Sequence, residues 1–226
     1  MYVKDRMTRN PVTIGADETI SKALEIMRKN DFHRLPVTDA SGKLLGLITG
    51  GLVEEKSGTK DTSLSIFELN YLLSRRKVSD IMIKNVAVAK ESMFLEEAAS
   101  SMLDQDISCL PVVDDEDRVI GIITEKDIFQ ALIDLTGYGM RGTRFVLSAD
   151  DTPGYMVGIC KLFAEHDANI DEIAVFHTEE RGTEASVKAS GEVPVETMRD
   201  VLKENGYRIS VIVQIDAEGK RINYDV

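Results

Sequence analysis

Cysteine is scarce. The 226 residues hold two, Cys109 and Cys160, both in apolar contexts and neither forming a metal pattern with His33, His166 or His177. That excludes a disulfide framework and a zinc-type spacing, and the thiols read as buried groups in a reducing compartment. Long apolar runs are missing as well. Nothing approaches the ~20 residues of a membrane span, and Met1-Tyr2-Val3-Lys4-Asp5 has no signal-peptide core, so a cytoplasmic location with no membrane partner is expected. Positive charge is in deficit, with 27 Lys and Arg against 39 Asp and Glu and a net charge of −12. This argues against gripping nucleic acid through a broad basic face. No Ser/His/Asp set, metal cluster, phosphate loop or catalytic acid pair stands out, so no enzymatic activity is expected. What is present is a 43% hydrophobic content, enough for real cores, in a length that fits one large domain or two modest ones.

The chain repeats itself. Leu35-Pro36-Val37-Thr38-Asp39 returns as Leu110-Pro111-Val112-Val113-Asp114, and Gly46-Leu47-Ile48-Thr49 as Gly121-Ile122-Ile123-Thr124, always 75 positions later. The register runs without a gap from Val3 to Ile128 and joins Val3/Val78, Asp5/Asp80, Met7/Met82 and Asp31/Asp106. A duplication of this kind decides the architecture before any local pattern does. Each copy predicts a short extended opening, an amphipathic helix, two strands and a closing helix. Asp17 and Ser92 occupy cap positions before the helices, whose inner faces carry Ile20, Ala23, Leu24 and Met27, then Leu95, Ala98, Ala99 and Met102.

Between the copies, 55–61 is polar. Ser65-Ile66-Phe67-Glu68 then fits a capping box opening a linker helix, with Ile66, Leu69, Leu72 and Leu73 on one face and Arg75, Arg76 and Lys77 at its end. After the second copy, Gly137-Tyr138-Gly139-Met140-Arg141-Gly142 matches G-x-G-x-x-G literally. A helix precedes it and a strand follows, the reverse of a dinucleotide site, so it reads as an interdomain hinge. The remainder reads as βαββαβ, the ferredoxin-like order. Phe145 and Leu147 alternate in its first strand. Pro153 starts a helix with Met156, Val157, Cys160, Phe163 and Ala164 inward. Ile173 and Val175 pair with Ala185 and Val187 through Glu180-Arg181-Gly182, and Pro194 opens the second helix.

Val-x-Asp-x-Met at Val3 and at Val78, the two Leu-Pro-Val cores and the two Gly-x-Ile-Thr runs resemble a tandem pair of CBS domains, a Bateman module. Asp151-Thr152-Pro153-Gly154 and Ala168-Asn169-Ile170 resemble the opening and second strand of an ACT domain. The domain order is similar to that of AcuB-like proteins of acetoin utilisation. The implied class is α/β (α+β): CBS repeats at 1–54 and 78–136, a linker with helix at 55–77, a Gly-rich hinge at 137–142 and an ACT-like ferredoxin-like domain at 143–226.

The resemblance implies where a ligand sits. The family's Gly-x-x-Thr-x-x-Asp pattern, matched by Gly121, Thr124 and Asp127, holds the ribose and phosphate side of an adenosine nucleotide. A carboxylate suits vicinal ribose hydroxyls, and a hydroxyl at a helix start suits a phosphate oxygen. Read without the family, Thr-x-x-Asp is equally a capping box. The same cleft would recruit Thr8, His33 and Arg34, giving a hydroxyl, a second donor or structural support, and a guanidinium for phosphate. In the mirror cleft Ile83, Cys109 and Leu52 stand where Thr8, Arg34 and Asp127 stand, and only Thr49 repeats. One nucleotide site per chain is therefore expected. The ACT resemblance implies a further amino-acid site at a pair interface, at Asp151, Gly154, Asn169 and Ile170, though helix capping and turn formation account for the same residues. The functional expectation is a non-catalytic homodimeric sensor of AMP, ADP, ATP or a related ligand. It would act through the ACT region on a further protein, in acetoin utilisation by resemblance. The alternative is an amino-acid-responsive ACT regulator with the CBS pair as scaffold.

Overall fold

A computed structural model describes residues 1–57, 71, 73–148, 152–179, 182–190 and 194–226. The chain divides into two compact units, Met1–Ala131 and Leu132–Val226. The linker-helix residues Ile66, Leu69 and Leu72 lie outside the described residues. Leu73 is described and is buried in the first unit. Among the described residues no helix is long and apolar enough to cross a membrane.

The first unit holds β1 (Thr8–Arg9), β2 (Ile14–Gly15), α1 (Ile20–Asn30), β3 (Arg34–Thr38), β4 (Leu44–Thr49), α2 (Gly50–Ser57), α3 (Leu95–Asp104), β5 (Cys109–Val113) and β6 (Val119–Thr124), with α4 (Glu125–Leu135) starting in it. Its sheets run β2-β3-β4 and β1-β6-β5. The opening segments are exchanged. β1, from the first copy, pairs with β6 of the second through Thr8↔Ile122 and Arg9↔Gly121, while Ile83 bridges Leu47 on β4. Val3 N–H donates to Met93 O at 2.9 Å, and Val78 N–H donates to Glu18 O at 2.8 Å. Val3 and Met7 thus pack in the core around Leu95, Leu110 and Ile123. Val78 and Ile81 pack around Ile20, Leu35 and Ile48. Burying each such side chain stabilises by about 1.5–3 kcal/mol, so each copy supplies part of the other's core.

Equivalent residues also meet each other. Lys43 and Arg118, 75 positions apart, form an antiparallel bridge, flanked by Leu44 N–H to Asp117 O at 3.0 Å and Val119 N–H to Gly42 O at 2.9 Å. A local two-fold axis passes between them. The exchange also moves the helix caps. Thr19 and Phe94 are held extended by bridges to Lys77 and Tyr2, so α1 and α3 start after them. The N-cap of α1 is Thr19, whose hydroxyl accepts from Lys22 N–H at 3.2 Å, and Phe94 precedes α3, its N–H bound by Glu97. Asp17 and Ser92 are not the caps. Asp17 instead accepts from Lys77 Nζ at 2.7 Å, and that cation's hydrogen bond and charge hold its carboxyl below the usual range.

The second unit holds β7 (Gly142–Ser148), α5 (Tyr155–Glu165), β8 (Asn169–Thr178), β9 (Gly182–Ser190), α6 (Val195–Glu204), β10 (Arg208–Ile215) and β11 (Arg221–Tyr224). The order βαββαβ is present, and a hairpin adds β11 at the sheet edge. The sheet runs β11-β10-β7-β9-β8, with every neighbouring pair antiparallel. Its core joins Phe145, Leu147, Ile159, Phe163, Val187, Met198, Leu202 and Ile212. The α5 face differs from expectation: Ile159 and Phe163 are inward, whereas Val157 and Cys160 are exposed. The helix reads Tyr-Met-Val-Gly-Ile-Cys-Lys-Leu-Phe-Ala-Glu, apolar on nearly every side, so its period admits two neighbouring stripes. Contact with Tyr207 at Gly158 helps select the observed one: a Cβ there would come 2.3 Å from the Tyr207 hydroxyl.

The glycine-rich stretch is not free at its ends. Gly137 is buried, and its carbonyl accepts from Lys188 Nζ at 2.7 Å. Arg144 donates to Thr136 O, and Gly142 already belongs to β7. Arg144, Lys188 and Glu172 form one row across β7, β9 and β8, and the two cations hold carbonyls at the end of α4, where a helix dipole favours positive charge. Gly137 lies in the left-handed region (φ 52°), and a Cβ there would come 1.8 Å from Glu172 Oε1 and displace that carboxylate, so a side chain would be strained.

Candidate functional site

The exchange of opening segments builds two clefts in the first unit. The first, about 650 Å³, is lined by Thr8 from β1, by His33 and Arg34 at the start of β3, and by Thr124 and Asp127 where β6 turns into α4. The sequence expectation brought these five residues to one place, and they are found together. Gly121 is the exception. It sits under the exchanged strand, where a Cβ would come 2.5 Å from Met7 Sδ and 3.2 Å from Thr8 O. Its glycine is required by the strand crossing, and it does not line the cavity. Gly46 repeats the arrangement against Ile83 O.

Thr124 and Asp127 do form a capping box. Asp127 Oδ2 accepts from Thr124 N–H at 2.8 Å and from Thr124 Oγ1 at 2.7 Å. The carboxylate is thereby fixed at the cleft wall, with no hydrogen bond to Oδ1 among the described residues. Capping and ligand binding are compatible here, because one oxygen orders the turn and the other stays available. Arg34 reaches across to donate to Ser108 Oγ. Residues that the sequence reading missed complete the wall. Val12, Phe32, Pro36 and Ile122 give apolar surface for a flat base, and Lys126 adds a second cation. Asn10 turns the chain there in the left-handed region (φ 47°). The duplication held a clue to one more: Ser108 is the counterpart of His33.

The second cleft, about 550 Å³, is lined by Thr49, Ile83 and Cys109, and by Asn85, Gln105 and Asp106. His33, Arg34 and Ser108 line both clefts. Thr49 caps α2 by accepting from Leu52 N–H at 3.1 Å, but Leu52 supplies no carboxylate. Burial pushes the Cys109 thiol up from its ordinary value, only partly offset by the nearby Arg34 charge. Among the described residues no group of three or more His, Cys, Asp and Glu could hold a metal ion.

The second-unit residues do not converge within one chain. Asp151 lies outside the described residues. Gly154 follows the end of β7, whereas Asn169 and Ile170 begin β8 beside the start of β7, since Asn169 pairs with Ser190 and Thr143 with Ala189. A seven-residue strand separates them, about 20 Å. Asn169 Nδ2 and Ser190 Oγ both donate to Asp171 Oδ1, at 2.7 and 2.9 Å, a local network that occupies the asparagine.

A duplicated α/β unit with exchanged opening segments and two related clefts defines a tandem module. The CBS domain pattern matches residues 3–50 and 78–134. A CBS domain-containing protein of Dictyostelium discoideum is 33% identical over 133 residues, covering 59% of this chain and 92% of that one. The chain belongs to the CBS-domain family. It spans only 49% of a Methanocaldococcus jannaschii relative that is 34% identical over 137 residues (58% of this chain). It spans 22% of the inosine-5'-monophosphate dehydrogenase of that organism, at 34% identity over 125 residues (54% of this chain). Among solved structures, the CBS domain pair of protein MJ0100 in complex with 5′-methylthioadenosine and S-adenosyl-L-methionine has a TM-score of 0.50 at 30% identity, covering 58% of this chain and 95% of that one. The AcuB protein of Vibrio cholerae has 0.51 at 29% identity, covering 61% and 93%. CBSX2 in complex with AMP has 0.52 at 25% identity, covering 59% and 97%.

Proposed function

We propose that the first unit is a non-catalytic sensor of an adenosine ligand, with AMP, ADP, ATP or an S-adenosyl compound bound in the first cleft. The observation that carries this reading is the convergence of Thr8, His33, Arg34, Thr124 and Asp127 around one cavity that also has an apolar wall. Asp127 accepts from the ribose hydroxyls, Thr124 and Thr8 serve the phosphate or ribose, and Arg34 with Lys126 meets phosphate charge. The AMP complex of CBSX2 and the adenosyl complexes of MJ0100 support this ligand class. The second unit, read as a ferredoxin-like ACT domain, relays occupancy to a further protein in the cytoplasm, and the likeness to AcuB supports a role in acetoin utilisation. The chain passes from one unit to the next inside α4, whose first turn carries Asp127. Exposed Leu103 and Phe129, and Ile173 and Val175 on the edge strand β8, support a homodimer.

The test is thermal unfolding with a panel of AMP, ADP, ATP, S-adenosylmethionine and amino acids. A ligand at a hundred times its Kd stabilises by about 2.7 kcal/mol. Stabilisation by adenosine ligands supports the reading. Silence from all of them, with a response to amino acids alone, favours an ACT regulator with a scaffold CBS pair. An ACT site at Gly154 and Asn169 would then need two copies of the chain, because one copy holds them at opposite ends of the sheet. Light scattering at micromolar concentration is expected to give twice the chain mass.

A further inference from the structure

Arg34 does not stand on the strand pair that carries the first cleft's threonine. It pairs across β3 and β4 with Thr49, the threonine of the second cleft, whereas Thr124 pairs with Cys109 across β5 and β6. By backbone position alone, Arg34 belongs beside the second cleft. Its guanidinium leaves that strand pair and donates to the hydroxyl of Ser108. Ser108 is in turn tied to the first cleft. Its carbonyl accepts from Glu125 N–H at 3.2 Å, in the turn where Thr124 and Asp127 cap α4. A continuous path of hydrogen bonds and peptide links thus runs from the Asp127 carboxylate through Thr124, Glu125 and Ser108 to Arg34. His33, the counterpart of Ser108, makes the same backbone bond, accepting from Gly50 N–H at 2.9 Å. Cys109 stands where a second arginine would, so the two clefts have one guanidinium between them at this position. Arg34 and Ser108 both line both clefts, and the hydroxyl decides which cleft the cation serves.

We infer that Ser108 is a positioning residue for phosphate recognition. Its hydroxyl holds the Arg34 guanidinium at a set distance from Asp127, which makes the first cleft prefer adenosine ligands that carry phosphate over those that do not. A guanidinium has five N–H donors, so one spent on Ser108 leaves a fork for phosphate oxygens. An arginine already held in one place also loses less freedom when the ligand arrives. Without the hydroxyl, nothing on this path keeps the side chain from falling back toward Thr49. The inference rests on the nucleotide reading of the first cleft and adds the group that sets its phosphate preference.

The experiment is titration calorimetry of the full chain with adenosine, AMP and ATP, for the parent, Ser108→Ala, Ser108→Thr, Arg34→Ala and the double variant Arg34→Ala/Ser108→Ala. Ser108→Ala should weaken ATP about fivefold, AMP less and adenosine least. Ser108→Thr keeps the hydroxyl and should restore the parent's order of affinities. The double variant should bind ATP no more weakly than Arg34→Ala, because a positioning residue has nothing left to position. That comparison decides the matter even where adenosine binds too weakly to titrate. A parent chain that binds none of the three ligands overturns the nucleotide reading and this inference with it. Where the parent binds, a loss for adenosine as large as for ATP, or losses that add in the double variant, overturn this inference alone and leave Ser108 as a structural or directly contacting group.

Discussion

The two clefts of the first unit share a construction and differ in chemistry. Each is bordered by an exchanged opening segment, each has a threonine capping the closing helix, and each is reached by His33, Arg34 and Ser108. In the first, the threonine is followed by Asp127 and faced by Thr8. In the second, Leu52 and Ile83 take those places. The shared parts are those the fold needs: a cap, a glycine beneath the crossing strand, and a leucine-proline-valine core strand. The parts that differ are those a ligand would need. A duplicated protein thus contains its own control, since whatever survives in both copies has a packing reason and whatever survives in one calls for another.

The sharpest break is Asp127→Ala. It should weaken adenosine-nucleotide binding about ten- to hundredfold, the worth of charge-assisted hydrogen bonds to a ribose, as read by titration calorimetry. Loss of the two hydrogen bonds that Thr124 donates to Asp127 Oδ2 should also lower stability by about 1 kcal/mol in urea unfolding. A folded variant with full affinity would leave Asp127 as a cap only. Arg34→Ala comes next, with about a tenfold loss for ATP and a smaller loss for AMP, because the guanidinium meets phosphate charge. Equal losses for both would place Arg34 at the nucleoside instead. Leu52→Asp copies the acid into the second cleft. Because Thr49 already caps α2, this change should complete a capping box and raise stability by roughly 0.5–1 kcal/mol, with binding still at one ligand per chain because Ile83 offers no hydroxyl. A second binding event would show that the acid alone separates the clefts. The smallest effect concerns Cys109, which stands where Arg34 stands in the other copy. A thiol reagent at mildly alkaline pH should modify Cys160 promptly and Cys109 only on unfolding, because the buried thiol resists becoming a thiolate. Its raised pKa means the unfolded chain ionises first, so the contribution of Cys109 to stability falls as pH rises past the ordinary thiol value of 9.0.

The duplication made much of this legible. Two strings in one register constrain each other, so the strands β3 to β6 followed from matched residues, whereas the membership of the first cleft came from the CBS resemblance, which joins one copy's Thr-x-x-Asp to the other copy's opening segment. Exchange was not legible as a source of helix caps. Asp17 and Ser92 are good capping residues in isolation, but the bridges at Thr19 and Phe94 start the helices later. Gly121 looked like part of a ligand pattern because the pattern contains it, yet its space is taken by Met7 and Thr8. In the second unit, alternation placed the strands, whereas α5, apolar on most sides, hid which stripe was inward. Gly154 and Asn169, expected at a pair interface, lie at opposite ends of the sheet within one chain, so only a second copy could bring them together. Phe32, Lys126 and Asn10 carried no signal, for exposed aromatic, basic and turn residues occur on any surface.

The exchanged openings make the two copies a clasp. Residues 1–9 finish the half built from the later copy, and residues 76–84 finish the half built from the earlier one. Cutting the chain between the copies would therefore leave two fragments each missing a piece held by the other, free to reassemble only as partners. Removing the first nine residues would leave the near half intact and unlatch the far one, and with it the wall of the first cleft that Thr8 provides.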